Sequence, residues 1–397
     1  MSVFGDLVGQ DSVVAQLQAA AEAAARILAD PSGLTAGPAG GMTHAWLFTG
    51  PPGSGRSVAA RAFAAALQCD RVGCGHCEAC LQSLAGAHPD VAVIVPEGLH
   101  LKIKEAREII SRSSRAPTRG RWQVTLIEDA DRMEERTSNT LLKVIEEPPP
   151  HGVLLLCAPS VEDLLPTIRS RCRSVALRTP PAEAVASVLV ARDGIDPAMA
   201  AFAAQAAQGH IGRAKRLATD EQARRERREV LALPRSLQGV GSALGAADAL
   251  VATSKAEAAE LSKQRDAGET ESLSRALGAG ATGKGFSGGK PRGGAGALKE
   301  LETRQKDRAK RTQRDALDRA LVDLAAFYRD VLTVQLGTGA TLVHGDLGPQ
   351  AATVARATTP ESTLRRIDAV LACRAALDAN VAHLLAVEAM ALALRTG

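Results

Sequence analysis

The sequence predicts an α/β domain, with helices on both faces of a parallel sheet, followed by two all-α domains. In residues 1–178, short apolar runs alternate with amphipathic stretches such as 57–68 and 103–112, a pattern typical of a parallel sheet covered by helices. From residue 180 onward the chain shows Ala- and Leu-rich helical periodicity without strand-like runs. We therefore expect a small helical domain at 179–232 and a larger one at 233–397. The predicted strands are 45–48, 91–95, 124–127 and 153–157.

The composition excludes several classes of protein. The 397 residues carry 48 Lys and Arg against 44 Asp and Glu, a net charge of +4, which excludes a histone-like polybasic protein. Aromatic residues make up 2% of the chain, too few to favour a stacking platform for unpaired bases. An apolar content of 45% fits a folded chain and excludes a disordered one.

The start of the chain and its cysteines predict a cytoplasmic protein. The opening MSVFGDLVGQ lacks a basic segment followed by an apolar run, and no stretch of eighteen apolar residues occurs, so we expect neither a secretory signal nor a membrane contact. Four of the seven cysteines lie within residues 69–80. This clustering favours a metal site in a reducing compartment over a disulfide framework.

A glycine-rich basic segment interrupts the last predicted domain. Residues 261–320 contain fourteen Lys or Arg against eight Asp or Glu, and residues 278–296 contain nine of the 36 glycines. Because such a composition cannot bury apolar surface, we expect a flexible insertion at about 261–312. We favour this interpretation over a weak nucleic-acid contact.

The first predicted strand leads into FTGPPGSGRS (48–57), which has the glycine spacing of a phosphate-binding loop. Gly50, Gly53 and Gly55 would let backbone N–H groups approach phosphate oxygens at the start of a helix. The pattern normally ends in Lys followed by Ser or Thr, but here Arg56 precedes Ser57. A guanidinium is planar and bulkier than an ammonium. We therefore expect the loop to form, with binding of ATP and Mg²⁺ impaired.

The third predicted strand ends in a pair of carboxylates. Nucleotide-hydrolysing relatives of this motif place Asp before Glu, the first organising Mg²⁺ and the second positioning water, whereas this chain has Glu128 before Asp129. The inverted order changes both the metal distance and the line of attack. Together with Arg56, the inversion predicts a degenerate ATPase site.

The segment CDRVGCGHCEAC predicts a structural zinc site. Its spacing lets the thiolates of Cys69, Cys74, Cys77 and Cys80 converge tetrahedrally on Zn²⁺ at ~2.3 Å. His76 is a possible substitute ligand. A shell of four thiolates leaves no open coordination position, so we expect this metal to be structural and not catalytic.

These motifs together resemble the bacterial clamp-loader subunits of DNA polymerase III, members of the AAA+ superfamily. The resemblance covers roughly the first 230 residues. It implies a P-loop AAA+ domain at 1–178 with a zinc module at 69–80, a helical lid domain at 179–232 and a helical collar, or oligomerisation, domain at 233–397. The segments that carry it are LVGQ (7–10), HAWLFTGPPGSGRS (44–57), the cysteine module (69–80), LIEDADRM (126–133), SNTLLKVIEEPPP (138–150) and TIRSRC (167–172).

Within this family the chain is similar to the delta-prime type. The resemblance implies a subunit that assists ATP-driven loading of the sliding clamp onto primed DNA, in a hetero-pentameric ring with gamma/tau motor and delta subunits. Arg171, in the Ser-Arg-Cys motif, would be the arginine given in trans to a neighbouring ATPase site. Arg213, in GHIGRA, would be the lid-domain arginine of the chain's own nucleotide site.

Two other functions remain open from the sequence. One is an active ATPase motor subunit of the gamma/tau type, and the other is a zinc-dependent DNA-binding module. Arg56 and the Glu128-Asp129 order disfavour the motor subunit. The position of the cysteines, inside the α/β domain and directly after the phosphate-loop helix, disfavours the DNA-binding module.

Overall fold

A five-stranded parallel sheet organises the first part of the chain. Its strands are β1 (Ala45–Thr49), β2 (Val91–Ile94), β3 (Gln123–Ile127), β4 (Gly152–Ala158) and β5 (Arg173–Ala176). All pairs are parallel and the order is β2-β3-β4-β1-β5. The first four strands are those predicted from the apolar runs. Because β1 lies between β4 and β5, the loop that follows it emerges at the sheet's carboxyl edge, flanked by the ends of these two strands.

The computed structural model describes residues 2–29, 41–101, 103–118, 120–276 and 294–397. They form two compact units, Met1–Pro96 with His100–Thr219 and Glu97–Leu99 with Asp220–Gly397. Among the helices in these ranges, none has the length and apolar character needed to span a membrane.

Helices cover both faces of the sheet, as predicted. Successive residues of a strand point to opposite faces, and the core follows this rule: Trp46 and Phe48 belong to one apolar cluster, while Ala45 and Leu47 belong to another. The first-unit helices are α1 (Asp11–Ala29), α2 (Arg56–Gln68), α3 (Glu78–Leu84), α4 (Ile103–Ser113), α5 (Glu135–Glu146), α6 (Pro166–Arg169), α7 (Ala182–Asp193), α8 (Pro197–Ala206) and α9 (Ile211–Thr219).

Among the described residues of the second unit, the regular secondary structure is helical. Its helices are α10 (Glu221–Ser236), α11 (Val240–Ala276), α12 (Gly294–Leu336), α13 (Gly348–Ala357), α14 (Pro360–Asp378) and α15 (His383–Thr396). Its core is built on α12, where Leu317, Leu324, Phe327, Tyr328 and Val331 are at most 2% exposed. The predicted all-α character of this region is confirmed.

The three predicted domains correspond only partly to the two units. Helices α7–α9 group with the sheet, whereas α10, whose residues 221–232 we assigned to the lid domain, groups with the second unit. Helix α10 packs on α11 and α12, so its apolar face belongs to the second core. The division into three domains at 178 and 232 stays a prediction.

The predicted flexible insertion at 261–312 is wrong for most of its length. Residues 261–276 continue α11 and residues 294–312 belong to α12, while residues 277–293 lie outside the described residues. Ion pairs hold the two helices together: Arg308 contacts Asp266 at 2.5 Å and Glu269 at 2.6 Å. The charges that suggested a solvated loop therefore stabilise a helix pair.

Candidate nucleotide and metal sites

The phosphate-loop sequence forms a loop between β1 and α2. Gly50, Gly53 and Gly55 have φ values of 150°, 87° and 90°, which side chains with a Cβ rarely adopt. The Gly50 N–H donates to the Pro159 carbonyl at 3.1 Å, and a Cβ on Gly50 would lie 2.5 Å from the Leu177 carbonyl oxygen. The loop is therefore fixed between the carboxyl ends of β4 and β5.

A cavity of about 290 Å³ lies beside this loop. Three segments line it: residues 6–8, residues 52–58 of the loop and α2, and the lid residues Pro180 and 210–212. Of the predicted nucleotide-binding residues, Gly53, Gly55, Arg56 and Ser57 line the cavity, whereas Gly50, Glu128, Asp129 and Arg213 do not. The lining includes Leu7, part of the LVGQ segment.

Arg56 is turned back onto the loop that it terminates. Its Nη1 donates to the carbonyl oxygen of Gly50, six residues earlier. Within the same loop Ser54 is 2% exposed, and its Oγ has no hydrogen-bond partner among the described residues. The loop thus holds its own arginine while one of its hydroxyl groups remains unsatisfied.

His210, which the sequence interpretation missed, packs against the loop. A Cβ on Gly53 would lie 2.6 Å from both Cα and Cβ of His210, so the histidine fits only because residue 53 is glycine. Within the GHIGRA segment we selected Arg213, whose backbone N–H donates to His210 Nδ1 at 3.2 Å. His210 is thus the residue of this segment that packs against Gly53, and the nucleotide-binding role of Arg213 stays a prediction.

Gln10 connects the loop to the strand end that precedes the lid helices. It is 3% exposed, and its Nε2 donates to the carbonyls of Arg178 at 2.5 Å and Ser54 at 3.4 Å. Its Oε1 accepts from the Arg178 N–H at 3.2 Å. One buried amide therefore satisfies three backbone groups and helps to fix the shape of the loop.

The carboxylates after β3 are engaged in contacts with arginines. Glu128 Oε1 lies 2.8 Å from Nη2 of Arg61 on α2, and Asp129, at φ 50° and ψ 51°, lies 3.9 Å from Arg132. Burial, followed by the charge of Asp129, raises the pKa of Asp131, a residue that the sequence interpretation did not select.

Arg171 lies just beyond α6, and its side chain is 43% exposed. Its Nη2 lies 3.0 Å from Oε1 of Glu146, at the end of α5, and its Nη1 donates to the Thr167 carbonyl at 3.0 Å. It does not line the cavity beside the phosphate loop. The contacts hold a guanidinium at the surface of the α/β unit.

The four predicted cysteine ligands converge. Their sulfur atoms all lie within 4.8 Å of one another, and Cys69 Sγ is 3.7 Å from both Cys74 Sγ and Cys77 Sγ. Four sulfurs at ~2.3 Å from a central Zn²⁺ would be ~3.8 Å apart, so the spacing fits tetrahedral coordination. His76 is outside this group, with Nδ1 2.9 Å from the Cys74 carbonyl.

Backbone N–H groups surround the cysteine sulfurs. Cys69 Sγ accepts from the N–H of Arg71 at 3.3 Å and Cys77 Sγ from that of Cys80 at 3.4 Å. The N–H of His76, more than any other group, lowers the pKa of the Cys74 thiol to about 6. Such donors favour the thiolate form, which is the form that binds metal.

Three comparisons relate this chain to proteins of bacterial DNA replication. Residues 36–181 match the family described as "DNA polymerase III, delta subunit". A delta-prime subunit from Pseudomonas aeruginosa is 38% identical over 147 residues, covering 36% of this chain and 45% of that protein. The Bacillus subtilis delta-prime subunit is 28% identical over 195 residues, covering 48% of this chain and 59% of that protein.

Another type of DNA polymerase III subunit matches as well. A gamma/tau subunit from Mycobacterium tuberculosis is 31% identical over 191 residues, covering 47% of this chain and 30% of that protein. The chain thus spans less than two thirds of each of these relatives.

Proposed function

We propose that this chain, an AAA+ protein related through residues 36–181 to the clamp-loader subunits of DNA polymerase III, is a delta-prime subunit that hydrolyses no ATP itself. It assists ATP-driven loading of the sliding clamp onto primed DNA, in a hetero-pentameric ring with gamma/tau and delta subunits. It reaches clamp and DNA through this ring, in the cytoplasm. The observation that carries the proposal is that Arg56 replaces the loop lysine and bonds to Gly50.

The carboxylates support the absence of hydrolysis. In an ATPase, the residue that positions the attacking water must be directed at the nucleotide, and in this chain the candidates are the carboxylates after β3. Here Glu128 is held by Arg61 at 2.8 Å, and neither Glu128 nor Asp129 lines the cavity. Catalysis by this chain's own site would require both the loop and these ion pairs to rearrange.

Arg171 is the residue through which this subunit acts on a neighbour. An arginine supplied in trans stabilises the charge that develops on the transferred phosphoryl group and accelerates hydrolysis by ~10³-fold or more. In this chain the guanidinium is paired with Glu146 at 3.0 Å and is 43% exposed. When a neighbouring subunit docks, the Arg171 guanidinium would exchange the carboxylate of Glu146 for the phosphates of the neighbour's ATP.

The cysteine cluster holds a structural Zn²⁺ bound by Cys69, Cys74, Cys77 and Cys80. Cys69 follows the last residue of α2 and Cys77 precedes the first residue of α3, so these ligands fix the connection between the two helices. With all four positions filled by thiolates, the metal has no catalytic position.

The gamma/tau motor type is the second candidate, and the 31% identity over 191 residues favours it. ATP turnover by the isolated chain separates the two. We expect negligible turnover, whereas robust turnover that is lost in Arg56→Ala would establish the motor function.

The delta-prime assignment predicts a specific defect in a reconstituted clamp loader that contains Arg171→Ala. We expect DNA-stimulated ATP turnover to fall by the share that the neighbouring site contributes. Arg171→Lys should not restore turnover, because lysine lacks the planar set of donors of a guanidinium. The matched control is Arg169→Ala, an exposed arginine two residues away on α6. Unchanged turnover in Arg171→Ala would remove the trans-arginine role.

A further inference from the structure

The contact between Arg56 and Gly50 closes the phosphate loop across its mouth. Gly50 is the first residue of the loop and Arg56 begins α2. Their hydrogen bond therefore joins the two ends of the turn whose N–H groups would otherwise surround an anion. The guanidinium is also part of the cavity lining.

Three contacts hold the loop in the shape that allows the hydrogen bond between Arg56 and Gly50. The Gly50 N–H is bonded to Pro159, the Ser54 carbonyl accepts from Gln10, and His210 leaves no space for a Cβ at Gly53. These contacts anchor the loop at three points, at Gly50, Gly53 and Ser54.

A second observation is a buried polar group in the closed loop that lacks a hydrogen-bond partner. The Ser54 Oγ is buried without a hydrogen-bond partner in the described part of the chain. A Cβ on Gly50 would lie 2.6 Å from this Oγ, so the hydroxyl points toward the residue whose carbonyl holds Arg56. An unsatisfied buried hydroxyl costs about 1–3 kcal/mol, which a phosphate oxygen in the loop would offset.

We propose that Arg56 is an intramolecular plug: its guanidinium excludes polyphosphate from an otherwise competent loop, so that removing the side chain opens the site. This deepens the proposed non-hydrolysing function and rests on it. It differs from the simpler view that the site fails because it lacks lysine. In that view, deleting the arginine side chain does not raise the affinity for nucleotide. A plug predicts instead that a chain with a truncated residue 56 binds nucleotide more tightly than the native chain does.

The test is titration calorimetry of the full chain with MgATP, MgADP and adenosine, using Arg56→Ala and Arg56→Lys. We expect Arg56→Ala to bind MgATP and MgADP at least tenfold more tightly than the native chain, and Arg56→Lys more tightly still because the ammonium adds a phosphate contact. Adenosine affinity should stay unchanged, since it has no phosphate. Arg107→Ala, an exposed arginine on α4, should behave like the native chain.

Three results would overturn the plug. The first is Arg56→Ala binding no better than the native chain. The second is that the native chain binds MgATP and MgADP as tightly as Arg56→Lys does. The third is an equal gain for adenosine, which would indicate a general widening of the cavity. Arg56→Met, which keeps most of the side-chain length without a donor, provides a second variant if Arg56→Ala does not fold. None of these results bears on the Arg171 experiment, so the clamp-loader function is tested separately.

Discussion

At the scale of single residues, two glycines of the phosphate loop have nearly the same φ angle but different surroundings. Gly53 and Gly55 have φ values of 87° and 90°. A Cβ on Gly53 would meet His210 at 2.6 Å, whereas a Cβ on Gly55 would meet only Leu7 Cδ2, at 3.9 Å. Alanine substitutions at these two positions therefore separate the free-energy cost of a left-handed backbone from that of a steric clash.

Gly53→Ala should therefore destabilise the first unit more than Gly55→Ala does. Both variants place alanine in the left-handed region, at a cost of about 1–2 kcal/mol each. Gly53→Ala must also displace His210, which adds about 1–3 kcal/mol. Chemical unfolding followed by segment-resolved hydrogen exchange measures the difference, and equal losses would show that His210 yields without cost.

A buried histidine in the second unit connects pH to stability. His344 is 1% exposed; its Nδ1 accepts from Arg227 Nη2 at 2.6 Å, and its Nε2 lies 3.1 Å from the Asp323 carbonyl. Burial and then the Arg227 charge lower its pKa from 6.5, against the opposing charges of Asp323 and Asp330. Asp346, 3.7 Å from Arg227, completes the charged groups near the ring.

This arrangement predicts that acid weakens the second unit. Because the folded-state pKa lies below 6.5, the stabilisation from neutral His344 is fully present above pH 6.5 and is lost as the pH falls toward the lowered value. His344→Asn should flatten this decline between pH 7 and pH 5, although the variant starts from a lower stability. Hydrogen exchange of residues 294–357 measures it, with exposed His100→Asn as the control. An unchanged pH profile in His344→Asn would contradict the prediction.

The residues of these sites differ in how far the sequence could reveal them. The cysteine cluster was predictable because spacing within twelve residues determines which sulfurs can meet, and Arg56 was predictable because it occupies a defined position in a short motif. Gln10 and His210 reach the loop from distant parts of the chain. Their contacts depend on tertiary packing, so no local pattern reports them.

At the scale of elements, the four-cysteine cluster joins two helices through a loop with little apolar content of its own. Cys69 and Cys80 are at most 1% exposed, while Cys74 and Cys77 are half-buried. The connection from α2 to α3 turns at Gly73 and Gly75, with φ values of 94° and 77°. A metal bound by the four cysteines would therefore supply much of the order of this segment.

We expect one Zn²⁺ per chain and its loss in Cys77→Ser. Removing a thiolate from a four-thiolate shell should lower zinc affinity at least tenfold and raise hydrogen exchange at residues 69–86. Cys172→Ser changes a cysteine outside the cluster and should keep the metal. Elemental analysis of the purified proteins decides the point; full zinc content in Cys77→Ser would show that its thiolate is not a ligand.

Helices α11 and α12 show where composition misleads. The glycines at 278–296 and the local excess of basic residues suggested one long flexible segment, but only its centre is glycine-rich. The flanks contain good helix formers and i,i+4 pairs such as Arg265 with Glu269 at 2.9 Å. The hydrogen bond from Arg308, more than any other interaction, lowers the pKa of Glu269 to about 2, and the charge of Arg308 contributes further. The average composition of residues 261–320 therefore did not reveal that two helices flank the glycine-rich centre.

At the scale of the whole molecule, different apolar clusters stabilise the two units. Leu126 on β3 and Leu324 on α12 are both 0% exposed, and they belong to different apolar clusters. The α/β class of the first unit and the helical class of the second were predictable because hydrophobic periodicity reports burial directly. The boundary at α10 was not, because an amphipathic helix does not show which core it packs against.

We expect the two units to respond separately to core truncation. Leu324→Ala and Leu126→Ala should each cost about 2–5 kcal/mol. Leu324→Ala should raise hydrogen exchange in the second unit and leave the strands of the first protected, while Leu126→Ala should do the reverse. A uniform loss of protection in either variant would show that the chain unfolds as one cooperative unit.

The scarcity of aromatic residues gives each unit its own optical label. Both tryptophans lie in the first unit, and the single tyrosine, Tyr328, is buried in the second. Trp46 is on the strand that leads into the phosphate loop, 4.9 Å from Phe63 and 5.1 Å from the Arg173 guanidinium. Intrinsic indole fluorescence therefore reports on the sheet and its loop alone, and ligand entry or subunit docking there can be followed without attaching a dye.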